Sequence, residues 1–176
     1  EIRDKATSEI ALRAAMTGHL VLSTLHTNDA ASTPARLIDM GVPRWMVALS
    51  LQLVVAQRLV RTLCTSCALP HEPTPQELAW LRSQLGAAAD NATFKFGKGC
   101  PDCNHSGFKG RTGVYEFLEM NIAMIDALNH PEPGVFAKAA REYMAGSTLR
   151  RDAARLVVEG RTTVDEAMRV SAEVDE

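Results

Sequence analysis

The chain has 176 residues, 46% hydrophobic and 23% charged, with a formal net charge of −2. That is the profile of a soluble globular protein of one domain, or one domain plus a small module, and it excludes a disordered chain. The near-neutral balance gives no general pull toward nucleic acid or an anionic membrane. No apolar run approaches the roughly 18 residues of a spanning helix, the longest, Trp45 to Ala56, being interrupted by Ser50 and Gln52.

The opening, EIRDKATSE, is charged from its first residue and lacks an initiator Met. It predicts a cytosolic fragment of a longer protein, without a signal peptide. Residues 6–16 are good helix formers with apolar positions at helical spacing, and Gly18 follows as a stop. His19 to His26 is short and β-rich without strict alternation, which suits a strand covered on both faces, as in a parallel sheet. A helix is expected from Asn28 or Asp29 to Gly41, and another over roughly 43–54 with Pro43 in its first turn. Gln57 to Leu63 reads as a strand or a helix extension, with the Leu59/Arg61 alternation favouring strand.

Residues 64–110 change character, with Gly, Pro, Cys, Asn and Lys crowding both ends. Between them Thr74-Pro-Gln-Glu77 is a capping box that opens a helix through Leu85. Phe94 to Phe96 suits a short strand. Residues 111–119 resume strand alternation, with Val114, Glu116 and Leu118 against Tyr115 and Phe117. The tail reads as four helices, about 121–129, 134–145, 148–159 and 163–173. Thr162 and Thr163 stand at capping-box spacing from Asp165 and Glu166.

All four cysteines fall in two C-x-x-C pairs, Cys64/Cys67 and Cys100/Cys103, separated by 32 residues. Two-residue spacing lets both thiolates of one turn reach a tetrahedral ion at about 2.3 Å, and two turns complete a closed shell. Gly99, Gly107 and Gly110 supply tight backbone around the second pair, and Arg58, Arg61, Lys98 and Lys109 would offset the charge of a zinc tetrathiolate. Two disulfides conflict with a cytosolic chain. A thioredoxin-like redox pair leaves the second motif unexplained, and no ferredoxin-type spacing occurs. A closed four-cysteine zinc site has no open position and is structural.

Polar groups (Ser23, Thr24, His26, Thr27, Asn28) cluster at the C-terminal end of the 19–26 segment, where open α/β sheets bind ligands. A packed histidine and a capping Asn are the plain alternative. As a strand, the segment would hold His19 and His26 over about 20 Å apart at about 3.3 Å per residue, so they are no metal pair. Glu1 and Asp4 read either as general bases or metal-shell acids, or as the charged start of a helix.

Taken together, Glu1-Ile-Arg-Asp4, Thr17 to Asn28, Arg36-Leu-Ile-Asp-Met-Gly41, Ala56 to Cys64 with the cysteine pairs, and Gly110-Arg-Thr-Gly-Val-Tyr-Glu116 resemble the secretion ATPase superfamily over essentially the whole chain. The likeness is greatest to the assembly motors of type II secretion and type IV pili, the mannose-sensitive haemagglutinin pilus branch among them. The resemblance implies an α/β fold: the C-terminal part of a RecA-like P-loop NTPase domain (1–63), an inserted tetracysteine zinc module (64–110), and a β segment with a helical C-terminal tail (111–176). It implies a cytoplasmic motor, peripheral to the inner membrane through its partners, that hydrolyses ATP with Mg²⁺ to drive pseudopilin or pilin assembly. Homo-hexamers, an inner-membrane platform protein and membrane-linked assembly proteins are the implied partners, and nucleic acid is not.

By the same resemblance Glu1 is the Walker B glutamate that polarises the attacking water, and Arg3 is a phosphate or intersubunit contact. His19 and His26 form the histidine box near the γ-phosphate; of the two, the strand-end rule, not the resemblance, puts His26 on the phosphate side. Arg111 is a nucleotide contact, and the four cysteines are the tetracysteine motif of assembly motors. The chain departs from the family in one respect: no G-x-x-x-x-G-K-[ST] occurs in it, so the phosphate cradle is missing and the isolated chain is expected to be inactive. The alternative is a non-catalytic zinc-binding interaction module.

Overall fold

The computed structural model describes residues 1–90 and 92–172. The fold is α/β and divides into two compact units. The first is Glu1–Ala56 with Glu116–Gly146, and the second is Gln57–Tyr115 with Ser147–Glu176.

In the first unit, helix α1 (Lys5–Met16) begins where the Asp4 carboxylate accepts the Thr7 N–H, at 2.9 Å. It ends at Thr17, followed by Gly18 at φ +92. The expected strand over 19–26 does not form. Among the described residues it has no ladder partner, and Leu20 and Leu22 are 88% and 86% exposed. Its composition suits a covered sheet, but a strand exists only where a neighbouring backbone completes it. One backbone bond holds its far end, from Ile2 N–H to Thr24 C=O at 2.9 Å.

Helix α2 (Thr33–Asp39) starts later than Asn28 or Asp29. The Asp29 carboxylate accepts the Ser32 N–H at 2.6 Å, a local turn that competes with the helix, and Pro34 sits in the first turn. Helix α3 (Arg44–Ser50) ends short of the expected residue 54, because Leu51 turns into the β region and a strand begins two residues later. Helices α5 (Ile122–Asn129) and α6 (Pro133–Tyr143) complete this unit. α3 packs against α1, α2 and α5, and α5 packs against α6, around Leu12, Leu37, Met46, Val47, Met124 and Leu128.

Strands β1 (Leu53–Leu63) and β4 (Phe108–Glu119) form a two-stranded sheet. Met120 N–H bonds Gln52 C=O at one end and Cys64 N–H bonds Gly107 C=O at the other, so the strands run antiparallel. Both have residues in each unit. Residues 57–63 are therefore strand, not a helix extension.

The second unit adds a short hairpin of β2 (Ala68–His71) with β3 (Phe94–Gly97), paired antiparallel with Ala68 opposite Gly97 and His71 opposite Phe94. β2 has no counterpart among the predicted elements, because Pro70 and the nearby cysteines mask a four-residue strand. Helix α4 (Pro75–Leu85) carries the full capping box: Thr74 Oγ accepts the Glu77 N–H and the Glu77 carboxylate accepts the Thr74 N–H. Helices α7 (Leu149–Val158) and α8 (Val164–Ala172) pack on each other and on α4 through Leu81, Ala153, Val157 and Val164. Residue 173, the expected end of the last helix, lies outside the described residues. Thr163 caps α8 by accepting the Glu166 N–H, whereas Thr162 donates its hydroxyl to Arg61 C=O.

Candidate functional site

In the first unit the chain start meets the end of the histidine segment. Glu1 Oε1 lies 2.7 Å from His26 Nε2 and 2.6 Å from Arg3 Nε. The Arg3 guanidinium, and after it His26, hold the Glu1 carboxyl below the usual carboxylate range. It is therefore ionised at neutral pH and can only accept, so His26 Nε2 carries the proton in their bond. An ionised carboxylate with an imidazole and a guanidinium beside it can orient water and meet an anionic group. Asp4 is committed elsewhere, as the cap of α1 bonded to Thr7 N–H and Oγ1.

His19 is not brought to this cluster. Its Nδ1 lies 3.1 Å from Thr17 Oγ1 and 3.2 Å from Ala14 C=O, closing the end of α1. Arg111 lies exposed on β4 in the second unit. A residue that sequence reading left out of the site is Glu116, whose Oε1 accepts the Ala30 N–H at 2.6 Å. Its signal was present as a carboxylate sharing the apolar face of a strand with Val114 and Leu118.

The four cysteines form the second constellation. Their sulfurs all lie within 4.8 Å of one another. The pairs Cys64–Cys100 and Cys67–Cys103 stand at 3.9 Å, and Cys100–Cys103 at 3.7 Å. Four sulfurs at about 2.3 Å from one tetrahedral ion have edges of about 3.8 Å. The observed edges match that figure and are far too long for a disulfide bond of about 2.05 Å, and all four thiols are free. The group could hold one metal ion.

Local backbone builds the two knuckles. Cys67 N–H bonds Cys64 C=O, and Cys103 N–H bonds Cys100 C=O. The Cys100 and Gly107 N–H groups aim at Cys103 Sγ, at 3.2 and 3.3 Å. Burial raises the Cys100 thiol and pushes Cys67 up to about 12. At Cys103 the same burial is outweighed by those two N–H donors, which bring it down to about 6. At Gly97 an added Cβ would stand 2.2 Å from Gly107 C=O, so the backbone of β3 and the second knuckle touch where a side chain cannot fit.

Residues 1–169 match the family model described as type II/IV secretion system protein. The chain belongs to that family. It is 42% identical over 173 residues to a type II secretion system protein E of Pseudomonas aeruginosa, covering 98% of this chain and 34% of the relative. It is 38% identical over 183 residues to a type IV pilus assembly ATPase PilB of Acinetobacter baylyi, covering 98% and 30% respectively. Among solved structures it resembles the pilus retraction motor PilT with bound ADP, with a TM-score of 0.62 and 26% identity, over 97% of this chain and 37% of that one. The chain thus spans about a third of the length of the curated relatives it matches. The fold is α/β and RecA-like, with a four-cysteine group able to hold a metal. No helix among the described residues is long and apolar enough to cross a membrane.

Proposed function

We propose that this chain is the C-terminal part of a cytoplasmic motor ATPase that hydrolyses ATP to drive type II secretion pseudopilus or type IV pilus assembly. The observation that carries this reading is the Glu1–His26 contact at 2.7 Å within a chain that matches the family over residues 1–169. Glu1 is the base that orients and deprotonates the attacking water. His26 faces the γ-phosphate, Arg3 exchanges its contact with Glu1 for a phosphate or a neighbouring subunit, and Arg111 is a nucleotide contact. His19 closes the end of α1 and supports the segment rather than the phosphate. ATP and Mg²⁺ bind in the longer protein, where a phosphate cradle completes the site.

Residues 1–63 belong to the ATPase core, 64–110 to a zinc module and 111–176 to the β segment and helical region. The thiolate shell suits a structural Zn²⁺, which ties the two knuckles together and takes no part in hydrolysis. The working form is a homo-hexamer held at the inner membrane by a platform protein and membrane-linked assembly proteins, without nucleic acid.

In the longer protein, Glu1→Gln is expected to leave ATP binding largely intact and to cut turnover about 10²-fold or more, because Gln keeps the size but loses the charge that activates water. Turnover within about threefold of wild type would remove Glu1 from this role. A longer protein without a G-x-x-x-x-G-K-[ST] would instead favour the non-catalytic interaction module.

A further inference from the structure

Glu116 stands on the inward face of β4. Val114, Glu116 and Leu118 are 0%, 3% and 0% exposed, while the residues between them face solvent. Burying a carboxylate is costly unless it is hydrogen-bonded. Among its partners is the N–H of Ala30, at 2.6 Å, and Ala30 is itself 0% exposed. Ala30 lies in the connection, residues 27–32, that leads from His26 to α2. Within that connection the Asp29 carboxylate accepts the Ser32 N–H, and the Thr27 and Thr33 hydroxyls bond each other at 2.9 Å. The two local bonds shape the connection, and Glu116, 86 residues further on, fixes it to the rest of the first unit.

We propose that Glu116 is a positioning residue for the nucleotide site: by holding the Ala30 N–H it fixes the connection that carries His26, and so holds the imidazole against Glu1. This rests on the reading of Glu1 and His26 given above. The role requires an acceptor at this place and of this length. A neutral amide oxygen keeps the hold, whereas an apolar side chain of similar volume leaves the Ala30 N–H buried without its acceptor.

The test compares Glu116→Leu with Glu116→Gln. ATP turnover is measured in the longer protein, and the His26 ring and Ala30 amide NMR signals in the 176-residue chain. Glu116→Leu is expected to lower kcat about tenfold or more with KM for ATP within about threefold, and to move both signals. Glu116→Gln is expected to keep turnover within about threefold and leave the His26 signals in place. Wild-type turnover and unmoved signals in Glu116→Leu overturn the inference, as does a Gln variant as impaired as the Leu variant. Should Glu116→Leu fail to fold, Glu116→Gln decides: wild-type behaviour supports the hold, and a tenfold loss refutes it. A His26→Ala control separates the two claims. If it leaves turnover unchanged the nucleotide-site reading falls, while the ring and amide signals still decide whether Glu116 holds the connection.

Discussion

Glu166 shows how a single side chain can fix an element. Its side chain is fully buried, and its carboxylate accepts from the Arg61 N–H, the Arg61 guanidinium and the Arg169 guanidinium. Burial alone would raise its pKa, but Arg169 and Arg61 outweigh it and bring the group from 4.5 to about 2. A folded-state value below the unfolded one stabilises the fold above the unfolded pKa, and that contribution is lost as the pH falls through the folded pKa. The shift corresponds to stability on the order of 3 kcal/mol near neutral pH. Glu166→Gln is therefore expected to destabilise the protein by about 1–3 kcal/mol near neutral pH, with the gap to wild type narrowing below about pH 4.5. Denaturant titrations from neutral pH downward check this, and a gap independent of pH would show that charge is not its origin. At the Glu1 cluster the residue scale was only partly legible. Glu1 and Asp4 look equivalent as letters, yet Asp4 caps α1 and Glu1 meets His26.

Elements with local causes followed the sequence closely. The capping box at Thr74 and Glu77 and the positive-φ glycine after α1 act within a few residues, so the pattern suffices. The segment 19–26 shows the opposite case, since apolar residues of strand type form no strand where no ladder partner is present. The contact of β3 with the second knuckle is also tertiary. Gly97 has an ordinary φ and no sequence signal, but any Cβ there meets the Gly107 backbone. Gly97→Ala must therefore displace backbone beside Cys103 and is expected to lower metal retention in chelator competition by about tenfold or more. Gly146→Ala, with nothing within 4 Å of its added Cβ, is the control and should behave as wild type. Equal retention in both variants would show that the close approach does not govern the metal site.

At the scale of the whole molecule, the four-cysteine group belongs to one unit only. Cys64, Cys67, Cys100 and Cys103 all lie in the second unit, while the buried residues of α1, α3 and α5 lie in the first. Elemental analysis of protein purified without added metal should find about one zinc per chain. Structural zinc binding contributes free energy on the order of 10 kcal/mol in small modules, so its removal by a chelator should loosen residues 64–110 first. Hydrogen exchange is expected to accelerate in β2 and β3 while α1, α3 and α5 keep their protection. Uniform loss of protection over the chain would mean that the two units do not unfold separately.

The sequence by itself determined the features whose causes are local or periodic: most helices, the capping signals, the strand alternation of 111–119 and the spacing of the two C-x-x-C pairs. It also carried the family, because that likeness depends on the order of motifs and not on their contacts. Only the tertiary structure decided which groups meet. It brought the two cysteine pairs together at sulfur edges of 3.9 Å, set His26 and not His19 against Glu1, and turned Glu116 toward the Ala30 N–H. The physical reason is sequence separation: those partners stand from 25 to 86 residues apart, and a pairing across that distance depends on the packing of whole elements, which no local pattern records.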